Sequence, residues 1–129
     1  MKKTLKELFK ADNIVAILYK IDPTLRESKF GYAWKRFYEK NIAPSIKEIE
    51  EKAEDARIDN ALEDPKTKEL LKDGNGYKYS KDGMKNLTEK IRALNTTYNE
   101  KEIEIESFIS SYVPEMTEEQ KEVLTGLVI

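Results

Sequence analysis

The 129-residue chain contains neither cysteine nor histidine. Without histidine it lacks the usual general base near neutral pH, and without cysteine it has no thiol nucleophile and no disulfide. The two side chains that zinc prefers are missing as well, and a Ser–His–Asp triad cannot be built. The lack of disulfides is typical of a reducing compartment. We therefore predict a cytoplasmic protein that is not an enzyme and needs no cofactor.

Long hydrophobic runs are also absent. No stretch approaches 18 apolar residues, so we predict no membrane-spanning helix. Lys6 and Glu7 stand where a secretory signal would have its apolar segment, so we expect no such signal. Hydrophobic residues make up 39% of the chain and charged residues 37%. This balance predicts a single domain over residues 1–129 with a thin core, for which self-association would bury further apolar surface.

Glycine is scarce, and none of the five glycines belongs to a phosphate-binding loop. The segment Asp73-Gly74-Asn75-Gly76 resembles the start of a calcium loop, but Lys78 occupies the position that needs glycine. Asp55 and Asp59 lie one helical turn apart, a spacing that is common on solvated acidic helices. We therefore predict a turn at residues 73–76 and no metal site.

What the chain does contain is the same apolar spacing in two segments. Both runs step 3, 4, 3, 4 along the sequence: Ile46, Ile49, Ala53, Ala56 and Asn60, and then Met84, Leu87, Ile91, Leu94 and Tyr98. Each run places a narrow apolar stripe on one face of a helix. Two matched stripes joined by a turn-rich linker predict an antiparallel helical hairpin.

The fold predicted from these patterns is α+β and mostly helical. We expect an antiparallel helical hairpin with a small antiparallel β ribbon and short terminal helices. The ribbon would pair Tyr77-Lys78-Tyr79 with the alternating segment 102–109. The predicted pieces are N-terminal helices in 1–22, a long helix over 24–62, the ribbon and second hairpin helix in 73–109, and a C-terminal helix over 117–127.

Local signals refine this outline. Thr4 is placed to cap the first helix, whereas Asp12-Asn13 is a possible break in it or a second cap. Pro44 predicts either a kink near residues 40–44 or two helices that meet there. Thr117 and Gln120 form a capping box that opens the last helix.

The charge is unevenly distributed. Residues 1–40 hold 10 Lys/Arg against 5 Asp/Glu, whereas residues 47–64 hold 3 against 8. Solvated helix faces are one explanation. The other is a surface that docks on a basic partner, with carboxylates that imitate nucleic-acid phosphates. The candidate acidic contacts are Glu48, Glu51, Asp55 and Asp59.

The segment Arg26–Lys40 interleaves basic and aromatic side chains, which suits a protein interface or stacking against nucleic-acid bases. The 4 and 3 spacing of Phe30, Trp34 and Phe37 instead favours burial of those three rings. Tyr32, Arg36 and Tyr38 then remain as candidate surface contacts. Nucleic acid is the less favoured partner, because most of the remaining chain is acidic and repels phosphate.

The order of segments from about residue 30 to residue 129 is also informative. A long acidic helix is followed by a glycine-rich turn beside tyrosine, a second helix, an acidic alternating strand and a terminal helix. The matching pieces are Phe37–Arg57, Asp73–Tyr79, Glu102–Ile105, and Met116-Thr117 through Gln120, Leu124 and Ile129. In this order the chain resembles small tailed-bacteriophage proteins of unknown function. The resemblance implies a phage or prophage origin, and a role in binding other proteins, with no catalytic residue carried over.

Three functional hypotheses follow. The first is a non-catalytic factor that occludes a host or phage protein stoichiometrically, such as an inhibitor of a host defence nuclease in the host cell cytoplasm. The second is a structural or virion-assembly protein that functions as a homo-oligomer. The third is a nucleic-acid-binding module built on Arg26–Lys40.

Overall fold

The computed structural model describes residues 1–107 and 114–127, which form two compact units. One unit, called the N/C unit below, joins Met1–Ser45 with Asn99–Ile129. The other is Ile46–Tyr98, called the hairpin unit. Within the described residues, no helix is both long enough and apolar enough to pass through a membrane.

The N/C unit opens with strand β1 (Lys2–Thr4) and helix α1 (Leu5–Ile21). The Thr4 hydroxyl accepts a hydrogen bond from the Glu7 backbone amide, and the Glu7 carboxylate accepts one from the Thr4 amide. This confirms the predicted cap at Thr4. The Thr4 hydrogen bonds lower the pKa of Glu7. Neither the possible break nor the second cap at Asp12-Asn13 is present, because apolar residues at Ala11, Val15 and Leu18 continue the buried face of one helix.

A 3-10 helix (Pro23–Glu27) separates α1 from helix α2 (Lys29–Asn41). The helical segment predicted from residue 24 is therefore interrupted at Ser28, whose hydroxyl caps α2 by accepting from the Gly31 amide. Gly31 lies against the 3-10 helix, where a Cβ atom would stand 2.3 Å from the Arg26 carbonyl oxygen. Only glycine allows the two segments to approach this closely.

Helix α3 (Ala43–Asn60) begins directly after α2. Of the two alternatives at residues 40–44, the structure has two helices that meet at Ile42. Pro44 falls in the first turn of α3, where its missing amide costs little because first-turn amides lack intrahelical partners. The buried Asn41 side chain donates to the Phe37 carbonyl oxygen and closes the end of α2.

The N/C unit has a deep core. Phe30, Trp34 and Phe37 are all buried, which confirms the burial predicted from their spacing. The rings of Trp34 and Phe37 stack with centroids 5.1 Å apart. Further side chains buried in the same unit are Leu5, Leu8, Val15, Leu18, Leu25, Ile42, Ile105, Leu124 and Leu127.

The hairpin unit consists of α3 from Ile46 onward and helix α4 (Lys81–Asn99, of which 81–98 lie in this unit). The two helices are antiparallel, as predicted. The hydroxyl of Tyr98, near the end of α4, donates to Glu48 near the start of α3, and Gly83 lies close to the Asn60 carbonyl oxygen at the other end. The buried members of the two apolar stripes are Ala53, Ala56, Leu87 and Tyr98.

The structure has two small antiparallel ribbons, and the pairing predicted between them is wrong. Strand β2 (Lys72–Asp73) pairs with β3 (Gly76–Tyr77) across the predicted turn, where Gly74 has a φ of 60°. Such a positive φ is what a type II′ turn needs at its first central residue. Strand β4 (Glu102–Glu104) pairs instead with β1. Residues 108–109 of the predicted strand lie outside the described residues.

Helix α5 (Glu118–Leu124) is the last helix of the described residues, and its capping box forms as predicted. The Thr117 hydroxyl accepts from the Gln120 amide, and the Gln120 side chain accepts from the Thr117 amide. Leu124 is buried and α5 packs on α1. The apolar side of the last helix therefore contributes to the core of its own unit.

Candidate functional site

Two surfaces carry the residues that the sequence singled out. Glu48, Glu51, Asp55 and Asp59 are in the hairpin unit, whereas Tyr32, Arg36 and Tyr38 are in the N/C unit. Each surface is described within its own unit.

The four carboxylates share one side of α3, called the acidic face below. Their spacing of 3, 4 and 4 residues keeps them within one stripe of a helix. All four side chains belong to exposed residues. Glu48 accepts a hydrogen bond from the Tyr98 hydroxyl at 3.1 Å and is thereby tied to α4. Glu51, Asp55 and Asp59 take part in no ion pair within the described chain, so they remain available to a partner.

Ile58 lies beside these carboxylates, since it follows Asp55 by three residues and Glu51 by seven. Its exposed fraction is 42%, which is high for isoleucine on a helix with a buried side. An exposed apolar side chain next to a row of carboxylates offers a partner both an anchor and an electrostatic guide.

A groove of about 360 Å³ runs between α3 and α4 next to the acidic face. Its lining includes Asp55 and Asp59 on one wall and Lys90 on the other, with Ala56 and Leu94 between them. Lys52 also lines the groove and lies over the Tyr98 ring, its Nζ 5.1 Å from the ring centroid. The contact with Tyr98 raises the pKa of Lys52. The groove therefore presents both signs of charge around an apolar strip.

Another carboxylate of α3, Glu54, faces the β2–β3 ribbon. It accepts a 2.6 Å hydrogen bond from the Tyr77 hydroxyl and a 3.2 Å ion-paired hydrogen bond from Arg57. These contacts, that of Tyr77 first, lower the pKa of Glu54, and the same hydrogen bond raises the pKa of Tyr77. Glu54 therefore holds the ribbon on the helix and is not part of the acidic face.

The second surface is a groove of about 480 Å³ in the N/C unit, called the aromatic groove below. It is lined from α1, the 3-10 helix and α2 by Asp12, Tyr19, Arg26, Gly31, Tyr32, Trp34, Lys35 and Tyr38. Tyr32 and Tyr38 are thus brought together, as expected for one binding surface. Arg36 is not part of it, because it lines a different cavity with Lys40 and Glu106.

Polar contacts fix the walls of the aromatic groove. The Trp34 indole Nε1 donates to Asp12 Oδ1 at 3.4 Å, and the Arg26 guanidinium lies 5.0 Å from the centroid of the Tyr19 ring. Burial raises the pKa of Asp12 and also that of Tyr19. Tyr32 lies at the edge of the groove and is 55% exposed, so much of it is accessible to a ligand.

Sequence reasoning missed four contributors to these surfaces: Asp12 and Tyr19 in the aromatic groove, and Lys52 and Lys90 beside the acidic face. The seven-residue spacing of Asp12 and Tyr19 places them on one side of α1, and this signal was present in the sequence. No short-range sequence pattern indicates that α2 packs against that side of α1.

Within residues 1–107 and 114–127, no three acidic side chains come together as a metal site. The chain matches no protein-family model, no curated protein and no solved structure at a significant level.

Proposed function

We propose that this protein is a non-catalytic binding factor that covers the functional surface of a partner protein in the host cell cytoplasm. One observation carries the proposal: the exposed side of α3 presents Glu51, Asp55 and Asp59, which form no ion pair within the described residues, next to the exposed Ile58.

The chemistry of this face indicates a basic partner. Residues at successive turns of a helix have Cβ atoms about 5–6 Å apart, close enough for their carboxylates to act as a row of negative charge. A groove that binds nucleic acid, such as that of a defence nuclease, presents Lys and Arg to phosphates. The acidic face would occupy such a groove in place of phosphates, while Ile58 provides apolar contact beside the row of carboxylates.

The test uses immobilised protein in a bacterial lysate, followed by titration of any captured partner with the purified protein. The test variant is Asp55→Lys/Asp59→Lys. The matched control is Glu69→Lys/Glu89→Lys, which makes the same charge change at exposed residues of the same unit. We expect a stoichiometric partner that is retained by wild type and control but is bound at least tenfold more weakly by the test variant. Circular dichroism melts establish that both variants are folded.

Equal binding by the test and control variants would overturn the assignment to the acidic face. Failure of the wild type to retain any partner would overturn the binding-factor proposal itself.

A homo-oligomer is the second candidate, because the groove between α3 and α4 has both signs of charge. In a two-fold arrangement, Asp55 and Asp59 of one copy could face Lys90 of another, as a self-complementary interface requires. The molar mass of the wild type and of the Lys90→Glu variant, measured by light scattering, distinguishes a homo-oligomer from a monomer. A multimeric mass that Lys90→Glu reduces supports the oligomer, and a monomeric mass in both excludes it.

A further inference from the structure

We propose that the aromatic groove binds a nucleotide whose base has an exocyclic amino group, with the ring on Tyr32, the amino group on Asp12 and the phosphate on Lys35. This site goes beyond the proposed function, since it lies in the N/C unit and uses none of the acidic face.

The charges of the groove narrow the class of ligand. Its ionisable lining residues include two cations, Arg26 and Lys35, and one carboxylate, Asp12. The excess of positive charge disfavours a lysine or arginine side chain from a partner. A carboxylate in the groove equally disfavours a simple anion such as phosphate alone. A ligand that is anionic at one end and donates hydrogen bonds at the other satisfies both conditions.

The aromatic side chains indicate what connects those two ends. Tyr32 is 55% exposed and Tyr38 is half-buried, so their rings are accessible, whereas Trp34 is held in the wall. Flat rings of this kind stack on nucleobases whatever the base. The volume of about 480 Å³ is within the range of small-molecule sites, about 300–1,000 Å³.

Asp12 is the residue that would select among bases. Trp34 Nε1 donates to its Oδ1, and within the described residues no other donor reaches this carboxylate. The second oxygen therefore remains to accept from the amino group of adenine, cytosine or guanine. Uracil and thymine have no exocyclic amino group, so they leave this acceptor without a partner.

The two cations have different roles. Arg26 is held by its contact with the Tyr19 ring, whereas Lys35 forms no ion pair within the described chain. Lys35 is therefore the phosphate contact, and Arg36, its neighbour in sequence, lines a different cavity. Lys35 and Arg36 are adjacent in sequence but line different cavities, so a substitution of Arg36 is the matched control for a substitution of Lys35.

The experiment follows the fluorescence of Trp34, the single tryptophan of the chain, with excitation at 295 nm. The probes are AMP, UMP, ribose 5-phosphate and a hexadeoxyadenylate strand. We expect AMP to quench or shift the emission with an affinity at least tenfold above those of UMP and ribose 5-phosphate. Similar affinity for AMP and the strand identifies a free nucleotide as the ligand, and a much tighter strand identifies single-stranded nucleic acid. Both results support the site.

Variants test each contact. Lys35→Gln should weaken AMP binding and flatten its salt dependence, whereas Arg36→Gln should leave both unchanged. Tyr32→Ala should weaken binding about 5- to 150-fold through lost stacking. Asp12→Asn should favour UMP over AMP, because Trp34 holds the amide oxygen and the amide NH₂ then faces the base.

Three results would overturn the proposal: no spectral response to AMP or the strand, equal affinity for AMP and ribose 5-phosphate, or equal weakening by Lys35→Gln and Arg36→Gln. The last result would indicate general electrostatic attraction to the basic part of the chain.

Discussion

The N/C unit and the hairpin unit are both built on amphipathic helices, but they bury them to different depths. In the N/C unit, α1 contacts β1, the 3-10 helix and α5, and large side chains such as Phe30 and Leu5 are fully enclosed. In the hairpin unit, the seam between α3 and α4 buries only two apolar residues of α3, both alanines, and two residues of α4, Leu87 and Tyr98. How deeply an amphipathic helix is buried therefore depends more on how many elements pack against its apolar stripe than on the residues of the stripe.

The shallow seam has a functional consequence. A hairpin that buries little of each helix leaves half of the residues of α3 exposed, and the acidic face with Ile58 is part of that exposed surface. In the deeper unit, the three packed segments around Asp12 and Trp34 instead create a concave site. The hairpin unit thus presents an exposed helix face beside a groove of about 360 Å³, and the N/C unit presents a groove of about 480 Å³.

The largest effect is expected from emptying the deeper core. Phe30→Ala removes a ring that is 0% exposed and should lower the free energy of unfolding by about 3–5 kcal/mol. Leu87→Ala in the shallow seam, where the side chain is 6% exposed, should cost about 2–3 kcal/mol, because a thin seam can close around the vacancy. Urea denaturation of the two variants measures both values. Equal costs would contradict the difference in depth between the units.

A smaller loss is expected where the 3-10 helix meets α2. Gly31→Ala forces a Cβ to within 2.3 Å of the Arg26 carbonyl oxygen and should cost about 1–3 kcal/mol. Gly76→Ala is the control in the hairpin unit, because its Cβ would meet backbone at an ordinary 3.7 Å. Thermal melts compare the two. A Gly31→Ala variant as stable as Gly76→Ala would show that this contact is not a tight one.

The smallest effect concerns the ribbon of the hairpin unit and depends on pH. Because the folded state lowers the pKa of Glu54, its hydrogen bond with Tyr77 stabilises the fold above the ordinary carboxyl value of 4.5 and is lost as pH falls through the lowered pKa. Tyr77→Phe should move the pKa of Glu54 toward its ordinary value, as followed by NMR titration of the carboxyl carbon. Tyr79→Phe is the control and should leave that titration unchanged. An unaltered Glu54 titration in Tyr77→Phe would mean that the hydroxyl does not hold this carboxylate.

The features that the sequence predicted correctly are local ones. The caps at Thr4 and Thr117 depend on residues three positions apart, and the helical hairpin depends on a repeated short spacing. The turn at Gly74 needs a positive φ that glycine adopts readily. Each of these signals is complete within one segment of the chain.

The pairing of β4 was not predictable in the same way. Glu102–Glu104 has the alternation of a strand, but alternation does not specify which distant segment it joins. β1 has only three residues and two of them are lysine, so it carries little strand signal of its own. The aromatic groove was only half predicted for a related reason, since Asp12 comes from a helix that the sequence does not link to Tyr32.

The pairing of β1 with β4 also bears on how the chain is made. The hairpin unit lies between these two strands in the sequence, so a ribosome completes it before β4 emerges. At about 5–20 residues per second, β1 waits on the order of 5–20 s for its partner. The Leu5 amide, which donates to the Lys101 carbonyl oxygen in the finished fold, is without this acceptor during that interval. The nascent N-terminal segment therefore lacks its sheet partner throughout that interval, whereas the whole hairpin unit has been synthesised before β4 emerges.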